Sequence, residues 1–258
     1  MFSASYFTYD GVFSGQYGLM IADFNAQSVS ETPVFQPSIK THKTVRSNRF
    51  FYNGITYEAL PQYTFSILSE AEIPDVVRRE ILSWLVGREG FRRLSIHQDD
   101  LENYWYNCIF TDVHNIYVHG RCHGFRLTAN FDSPYQRGKS SEVDISDSAV
   151  AQTVYIDNKS DIVDDYTYPL VEITSGDSIS ITNLTDDSAR IFSFHGSGYG
   201  DKLTIDNELK MISSGSGAAL LGGFNKNWLR LRKGVNELSV TTNGSCRIIC
   251  PTYVMIGF

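Results

Sequence analysis

The chain has 258 residues, 42% of them hydrophobic and 20% charged, the balance of a globular protein with room for one large domain or two ordinary ones. Twenty-two basic against 29 acidic side chains leave a net charge of −7, and neither half gathers the positive charge that binding a phosphate backbone requires. No apolar run approaches the ~20 residues that cross a bilayer, so neither nucleic-acid binding nor membrane insertion is expected.

The opening, Met1-Phe-Ser-Ala-Ser-Tyr-Phe-Thr-Tyr-Asp-Gly, lacks the basic start and apolar block of a signal peptide, and the chain is expected to fold without export by that route. Phe2, Tyr6, Phe7 and Tyr9 run up to Asp10-Gly11, a dipeptide suited to a tight hairpin because glycine accepts positive φ. The 15 Tyr and 16 Phe against 7 Pro and 4 Met favour β-structure. Between Glu31 and Gly54 apolar residues are sparse while His42, Lys43, Arg46 and Arg49 cluster. This reads as an excursion from the core, either a solvated hairpin or an arm that grips a neighbouring subunit.

Period-two patterns then mark half-buried strands: Tyr63, Phe65 and Ile67; Leu94 and Ile96; Phe125, Leu127, Ala129 and Phe131. Between the first two, Val77, Ile81, Trp84 and Leu85 fall at helical spacing, predicting a helix over about 74–86 with Pro74 in its first turn and Gly87 ending it in the left-handed conformation. Alternation stops at Phe131-Asp-Ser-Pro-Tyr-Gln-Arg-Gly138, and the stretch to Asp165 holds seven acidic residues against Lys139 and Lys159. A domain boundary is placed here, giving domains 1–135 and 136–258. The second half resumes short strands: Leu170 to Ile173, Ser178 to Ile181, Ile191 to Phe194, Lys202 to Ile205, Trp228 to Leu231, Glu237 to Thr241 and Arg247 to Ile249. Turn signals between them come at roughly the 8–12-residue spacing of a β-sandwich. The expected fold is mainly β, with two sandwich domains, the first carrying one helix and an extended arm.

No reaction centre emerges. Cys246 and Cys250 lie four apart in one strand, roughly 13 Å at ~3.3 Å per residue, too far for a mutual disulfide. Cys108 and Cys122 could face each other across a hairpin, but without a leader both are expected to be reduced. His119, Cys122 and His123, with Cys108 and His114 within reach, crowd soft ligands, yet the three straddle both faces of a strand and no metal is expected. Gly196-Ser-Gly-Tyr-Gly200 is followed by no helix that could receive a phosphate. Asp99-Asp100, Asp164-Asp165 and Asp186-Asp187 are adjacent pairs that point apart in a strand, unlike the converging carboxylates of a glycosidase. Asp157-Asn-Lys-Ser-Asp161 lacks the glycine and terminal glutamate of a calcium loop, and Gly215-Ser-Gly lacks the spacing of a nucleophile elbow. Neither enzymatic activity nor a cofactor is expected. His195, Tyr199 and Trp228 could stack on or hydrogen-bond a saccharide, which keeps a carbohydrate-binding module as the alternative.

Several segments, in order, resemble the distal tail protein (Dit) family of phages with long, non-contractile tails. They are Phe7-Thr-Tyr-Asp-Gly-Val-Phe-Ser-Gly-Gln-Tyr-Gly-Leu-Met-Ile21; Tyr63-Thr-Phe-Ser-Ile-Leu; Ile81-Leu-Ser-Trp-Leu85; Leu94-Ser-Ile; Tyr104-Trp-Tyr; and Gly124-Phe-Arg-Leu-Thr-Ala-Asn-Phe-Asp-Ser-Pro-Tyr135. Tyr168-Pro-Leu-Val-Glu-Ile, Ile179-Ser-Ile-Thr-Asn183, Leu203-Thr-Ile-Asp206 and Leu231-Arg-Lys-Gly-Val-Asn-Glu-Leu238 continue the likeness. The resemblance implies a structural hub: a first domain that packs with five copies of itself into a hexameric ring, one ring or two back to back, and a second, galectin-like domain. Its partners would be the major tail tube protein, a tail-tip protein of the tail-associated lysin type and a receptor-binding protein. The place would be the virion tail tip, assembled in the host cytoplasm. Phe7, Tyr9, Phe13 and Tyr17 become the candidates for ring-domain assembly. Relatives often insert a carbohydrate-binding module, for which neither half has room, and Ser213 to Gly223 is too short for a long partner-holding arm.

Overall fold

A computed structural model describes residues 6–22, 38–45, 48–56, 61–99, 102–176, 178–186, 190–196, 202–214 and 221–255. The chain is mainly β and divides into two compact units, one up to Gln136 joined by Met255, the other from Arg137 to Val254.

The first unit runs β1 (Tyr6–Tyr9), β2 (Val12–Phe13), a 3-10 turn at Ser14–Tyr17, β3 (Met20–Ala22), β4 (Ser38–Lys43), β5 (Phe50–Thr56), β6 (Gln62–Leu68), α1 (Asp75–Val86), β7 (Arg92–His97), β8 (Tyr106–Val118) and β9 (Arg121–Phe131). Seven strands form one antiparallel sheet in the order β2-β1-β7-β8-β9-β6-β3. The sheet curls round its own core, since β1, near one edge, also meets β3 at the other. Among the described residues, strands β4 and β5 pair only with each other.

Asp10-Gly11 makes the expected hairpin turn. Tyr9 pairs with Val12, and φ values of 50° and 79° at Asp10 and Gly11 are those of a two-residue turn whose twist suits flanking strands. His119-Gly120 repeats the device between β8 and β9, with φ of 48° and 79°, so that histidine serves a turn.

Helix α1 forms where the spacing predicts, burying Ile81, Trp84 and Leu85 with Val77 partly buried beside them. Its ending differs. Gly87 has φ −79° and ψ 18°, outside the left-handed region; glycine is needed because a Cβ there would run into the Ser83 carbonyl oxygen. Trp84 organises the core. Its ring stacks on Phe7 at 5.8 Å and an interplanar angle of 6° and meets Tyr9 at 6.3 Å, while its Nε1 donates to the Tyr9 carbonyl at 2.9 Å. The indole nitrogen buried with the helix is thereby satisfied by the first strand.

The second unit comprises β10 (Gln136–Ile145), β11 (Ser148–Asn158), β12 (Leu170–Ile173), β13 (Ser178–Asn183), β14 (Ile191–His195), β15 (Leu203–Asp206), β16 (Met211–Ser214), β17 (Gly234–Thr242) and β18 (Cys246–Val254). They make a five-stranded sheet, β10-β18-β12-β15-β16, and a four-stranded one, β11-β17-β13-β14. One core draws on both: Val171, Ile173, Leu203, Ile205 and Ile248 from the first, Ile179, Ile181, Phe192, Leu238 and Val240 from the second. This is a β-sandwich.

One expected strand does not form. Trp228 to Leu231 is irregular apart from an isolated bridge between Leu231 and Thr167, because buried asparagines take its backbone groups. Asn207 Oδ1 accepts from Leu229 N at 2.8 Å, Asn183 Nδ2 donates to Arg230 O at 2.9 Å, and Asn158 Nδ2 donates to Arg232 O at 3.0 Å. Side-chain amides thus stand in for a neighbouring strand.

Candidate assembly surfaces

Of the sequence-derived chemical candidates, the cysteines and Asp186 are built into the scaffold. All four cysteines are free and buried; Cys108 lies opposite Phe131 and Cys122 opposite Tyr117, so the two do not face each other. Burial pushes the Cys108 thiol far up, and pushes Cys246 and Cys250 up to about 12, with Asp144 and Asp157 adding smaller repulsions. The native state therefore holds these protons while the unfolded chain releases them near the ordinary value of 9.0. Their contribution to stability is complete below pH 9 and is lost as pH rises towards 12. Urea midpoints of the second unit are expected to fall between pH 8.5 and pH 10.5, and Cys246→Ala/Cys250→Ala is expected to flatten that fall.

His114 and His119 are exposed, and His123 Nδ1 lies 3.4 Å from the Ser69 carbonyl oxygen. Among the described residues no three His, Cys, Asp or Glu side chains gather. Asp186 is buried against Arg230, whose Nε and Nη2 donate to its two oxygens at 2.7 and 3.1 Å. Asp164 and Asp165 border an open hollow of about 470 Å³ with Tyr166, Arg232 and Lys233. Asp100, Asp187 and the Ser197–Gly200 stretch lie outside the described residues.

Of the saccharide candidates, Tyr199 also lies outside the described residues, and His195 is exposed at the end of β14. Trp228 packs against Phe224 with ring centroids 4.5 Å apart, on the edge of the second core.

The four assembly candidates separate. Phe7 and Tyr9 are fully buried and hold the first core. Tyr17 is half-buried against Trp84, 5.6 Å between centroids. Phe13 is exposed, and it gathers two residues that sequence reasoning missed: Tyr6 at 5.3 Å and His97 at 5.3 Å. Thr8 Oγ1, 2.7 Å from His97 Nε2, fixes the imidazole. Cross-strand register brings them together, since Tyr6 faces His97 and Thr8 faces Phe13.

The excursion between Glu31 and Gly54 contains the β4–β5 hairpin. Every residue of β4 is exposed. Around the described basic residues His42, Lys43 and Arg49 stand apolar side chains that the basic cluster obscured: Ile39 at 67% exposure, Phe50 at 68%, Tyr52 at 65% and Ile55 at 55%. His42 stacks on Phe51 and Lys43 lies over the Phe50 ring at 5.6 Å. Arg46 is outside the described residues. The two-stranded sheet thus carries a run of exposed aromatic and β-branched side chains, and the Phe50-Phe51-Tyr52 triplet is its sequence signal.

A family model described as a phage tail protein N-terminal domain matches residues 2–133, and one described as a phage tail C-terminal domain matches residues 135–250. No curated protein matches the chain. Among solved structures, the SPP1 Dit (gp 19.1) protein, described as a paradigm of the hub adsorption apparatus in phages infecting Gram-positive bacteria, is similar with a TM-score of 0.67 at 12% identity, over 96% of this chain and 98% of that one. A chain of the phage p2 baseplate in its activated conformation with Sr is similar with a TM-score of 0.51 at 10% identity, over 95% and 97%. The two family models account in turn for both units, and the chain belongs to this phage tail protein family, with the fold of the Dit hub protein.

Proposed function

We propose that the protein is the distal tail hub of its phage: six copies close through their first units into a ring, one or two back to back. The ring joins the major tail tube protein above to a tail-tip protein of the tail-associated lysin type below. The second, galectin-like unit projects outward and carries a receptor-binding protein. The hub works at the virion tail tip, is assembled in the host cytoplasm, and performs no catalysis.

The β4–β5 arm carries this reading. Among the described residues its apolar side chains are exposed and its strands pair only with each other, which supports cover by a neighbouring molecule. An arm that docks on a different surface of the next copy makes a head-to-tail contact, and such contacts close into a ring when the rotation between copies divides a full turn. Light scattering on the purified full chain tests the proposal. The expected mass is six or twelve times 29.1 kDa; a monomer at every concentration, even with the tail-tip protein added, would refute it.

A further inference from the structure

The chain contains two Asn-Gly dipeptides, Asn53-Gly54 and Asn243-Gly244. Such a pair is suited to spontaneous cyclisation, because glycine has no side chain to hinder the approach of its nitrogen to the asparagine amide carbon. Asn243-Gly244 joins β17 to β18, and both of its residues are held. Ser178 N donates to Asn243 Oδ1 at 2.9 Å, and Gly244 N, the nitrogen that would attack, donates to Thr242 Oγ1 at 3.3 Å. Gly244 is buried and packs so close to Ser175 that a Cβ would collide with its carbonyl oxygen.

Asn53-Gly54 lies within β5 in different surroundings. Ile39 pairs with Ile55 and Thr41 with Tyr52, so Asn53 and Gly54 together stand opposite Lys40 as a bulge, where the ladder is interrupted. Asn53 is exposed. Gly54 has φ of 101° and open space where a Cβ would stand. The bulge belongs to a sheet of two strands, an arrangement only marginally stable in water, and local opening gives the backbone access to the geometry of ring closure. Residues 38–56 hold Lys40, Lys43, Arg46 and Arg49 and no acidic residue, a positive setting that favours negative charge developing on Asn53 Oδ1.

We infer that Asn53-Gly54 is a self-modification site, which converts in free copies of the folded chain with water as its co-reactant. Gly54 N attacks Asn53 Cγ. The N–Cγ bond forms, the Cγ–Nδ2 bond breaks, and Nδ2 leaves as ammonia carrying the proton lost from Gly54 N. Water then opens the cyclic imide: addition at Cγ gives aspartate, and addition at the backbone carbonyl carbon gives isoaspartate, whose chain runs through the side chain and is one methylene longer. Either product lowers the arm's formal charge of +4 by one. Isoaspartate also lengthens β5 between Tyr52 and Ile55, so the two halves of the hairpin lose their common register. The site stands independently of the ring; its consequence, that a free copy keeps an intact arm for a limited time, rests on the ring reading.

Hydroxylamine tests the site, since it attacks the cyclic imide and cuts the chain between asparagine and glycine. The full chain, diluted until light scattering reads a single copy, is treated in mildly alkaline buffer beside the same chain in urea. The folded chain is expected to yield fragments ending at Asn53 and beginning at Gly54, with cutting after Asn243 slower by about tenfold or more; in urea both cuts are expected. Asn53→Gln, which would need a six-membered ring, is expected to lose the first cut. A folded chain that resists cutting after Asn53 while the urea sample is cut there, or one cut equally at both pairs, overturns the inference. Without hydroxylamine, ageing is expected to exchange NH2 for OH in the tryptic peptide of residues 50–78, whose only asparagine is Asn53. The aged chain is then expected to need about tenfold or more concentration to assemble than fresh chain, and aged Asn53→Gln no more than fresh. Converted chain that assembles like fresh chain overturns the consequence for the ring while the site stands. Fresh chain that forms no ring refutes the hub reading, and the cutting pattern still decides the site.

Discussion

Serine in place of Phe7 and Tyr9 is expected to unfold the first unit and leave the second folded. Both side chains are fully buried and both lie against Trp84, with Tyr9 also 4.6 Å from Phe110 between ring centroids. Truncating a buried aromatic costs about 3–5 kcal/mol in lost transfer energy and cavity formation, and a serine hydroxyl left without a partner adds about 1–3 kcal/mol. The two changes together reach the ~5–15 kcal/mol that holds an ordinary domain together. The second unit has its own core, drawn from Ile145 onward, so its melting transition should survive. Calorimetry checks this: loss of one of two transitions is the expected result, and retention of both at unchanged temperatures would contradict the assignment of Phe7 and Tyr9 to the core.

The second large effect concerns assembly without folding. Phe50→Ser/Phe51→Ser/Tyr52→Ser is expected to leave both units folded and to abolish the ring, with a melting curve that no longer depends on protein concentration. In the single chain these rings are exposed, so their loss removes little that stabilises the monomer. Covered by a neighbour, each would behave as an interface anchor worth about 2 kcal/mol or more, and three such losses raise the assembly concentration at least about a thousandfold. Sedimentation across a concentration series separates the cases. Rings of ordinary stability from the triple variant would place the interface elsewhere.

Sequence legibility followed how local the physics was. Asp10-Gly11 and α1 were readable because a positive-φ turn and a helical apolar stripe are each encoded within a dozen residues. The period-two strands were readable where one face is buried. Strands β10 and β11 lie in the acidic stretch taken as a boundary, because much of each strand is exposed and burial stamps only part of the alternation. Trp228 to Leu231 looked like a strand by composition; the asparagines that hold it irregular come from positions 158, 183 and 207, too distant for any local pattern to announce.

The surfaces were legible only in part. Basic residues at 42–49 coincide with the β4–β5 hairpin, and beside them Phe50, Phe51 and Tyr52 carry no periodic pattern that separates an exposed face from a buried one. Phe7, Tyr9, Phe13 and Tyr17 are candidates through the resemblance of the opening segment, whereas β1 alternates and sends Phe7 and Tyr9 inward while Tyr6 faces out. His97 joins Tyr6 and Phe13 through the pairing of β1 with β7, a contact set by topology across about ninety residues of sequence.

Negative-stain imaging of the purified, unmodified chain tests the central claim most directly. The account predicts particles with six-fold symmetry around an open centre, as single rings or as two rings back to back. A field of single, unassociated molecules at concentrations up to those used for light scattering would contradict it.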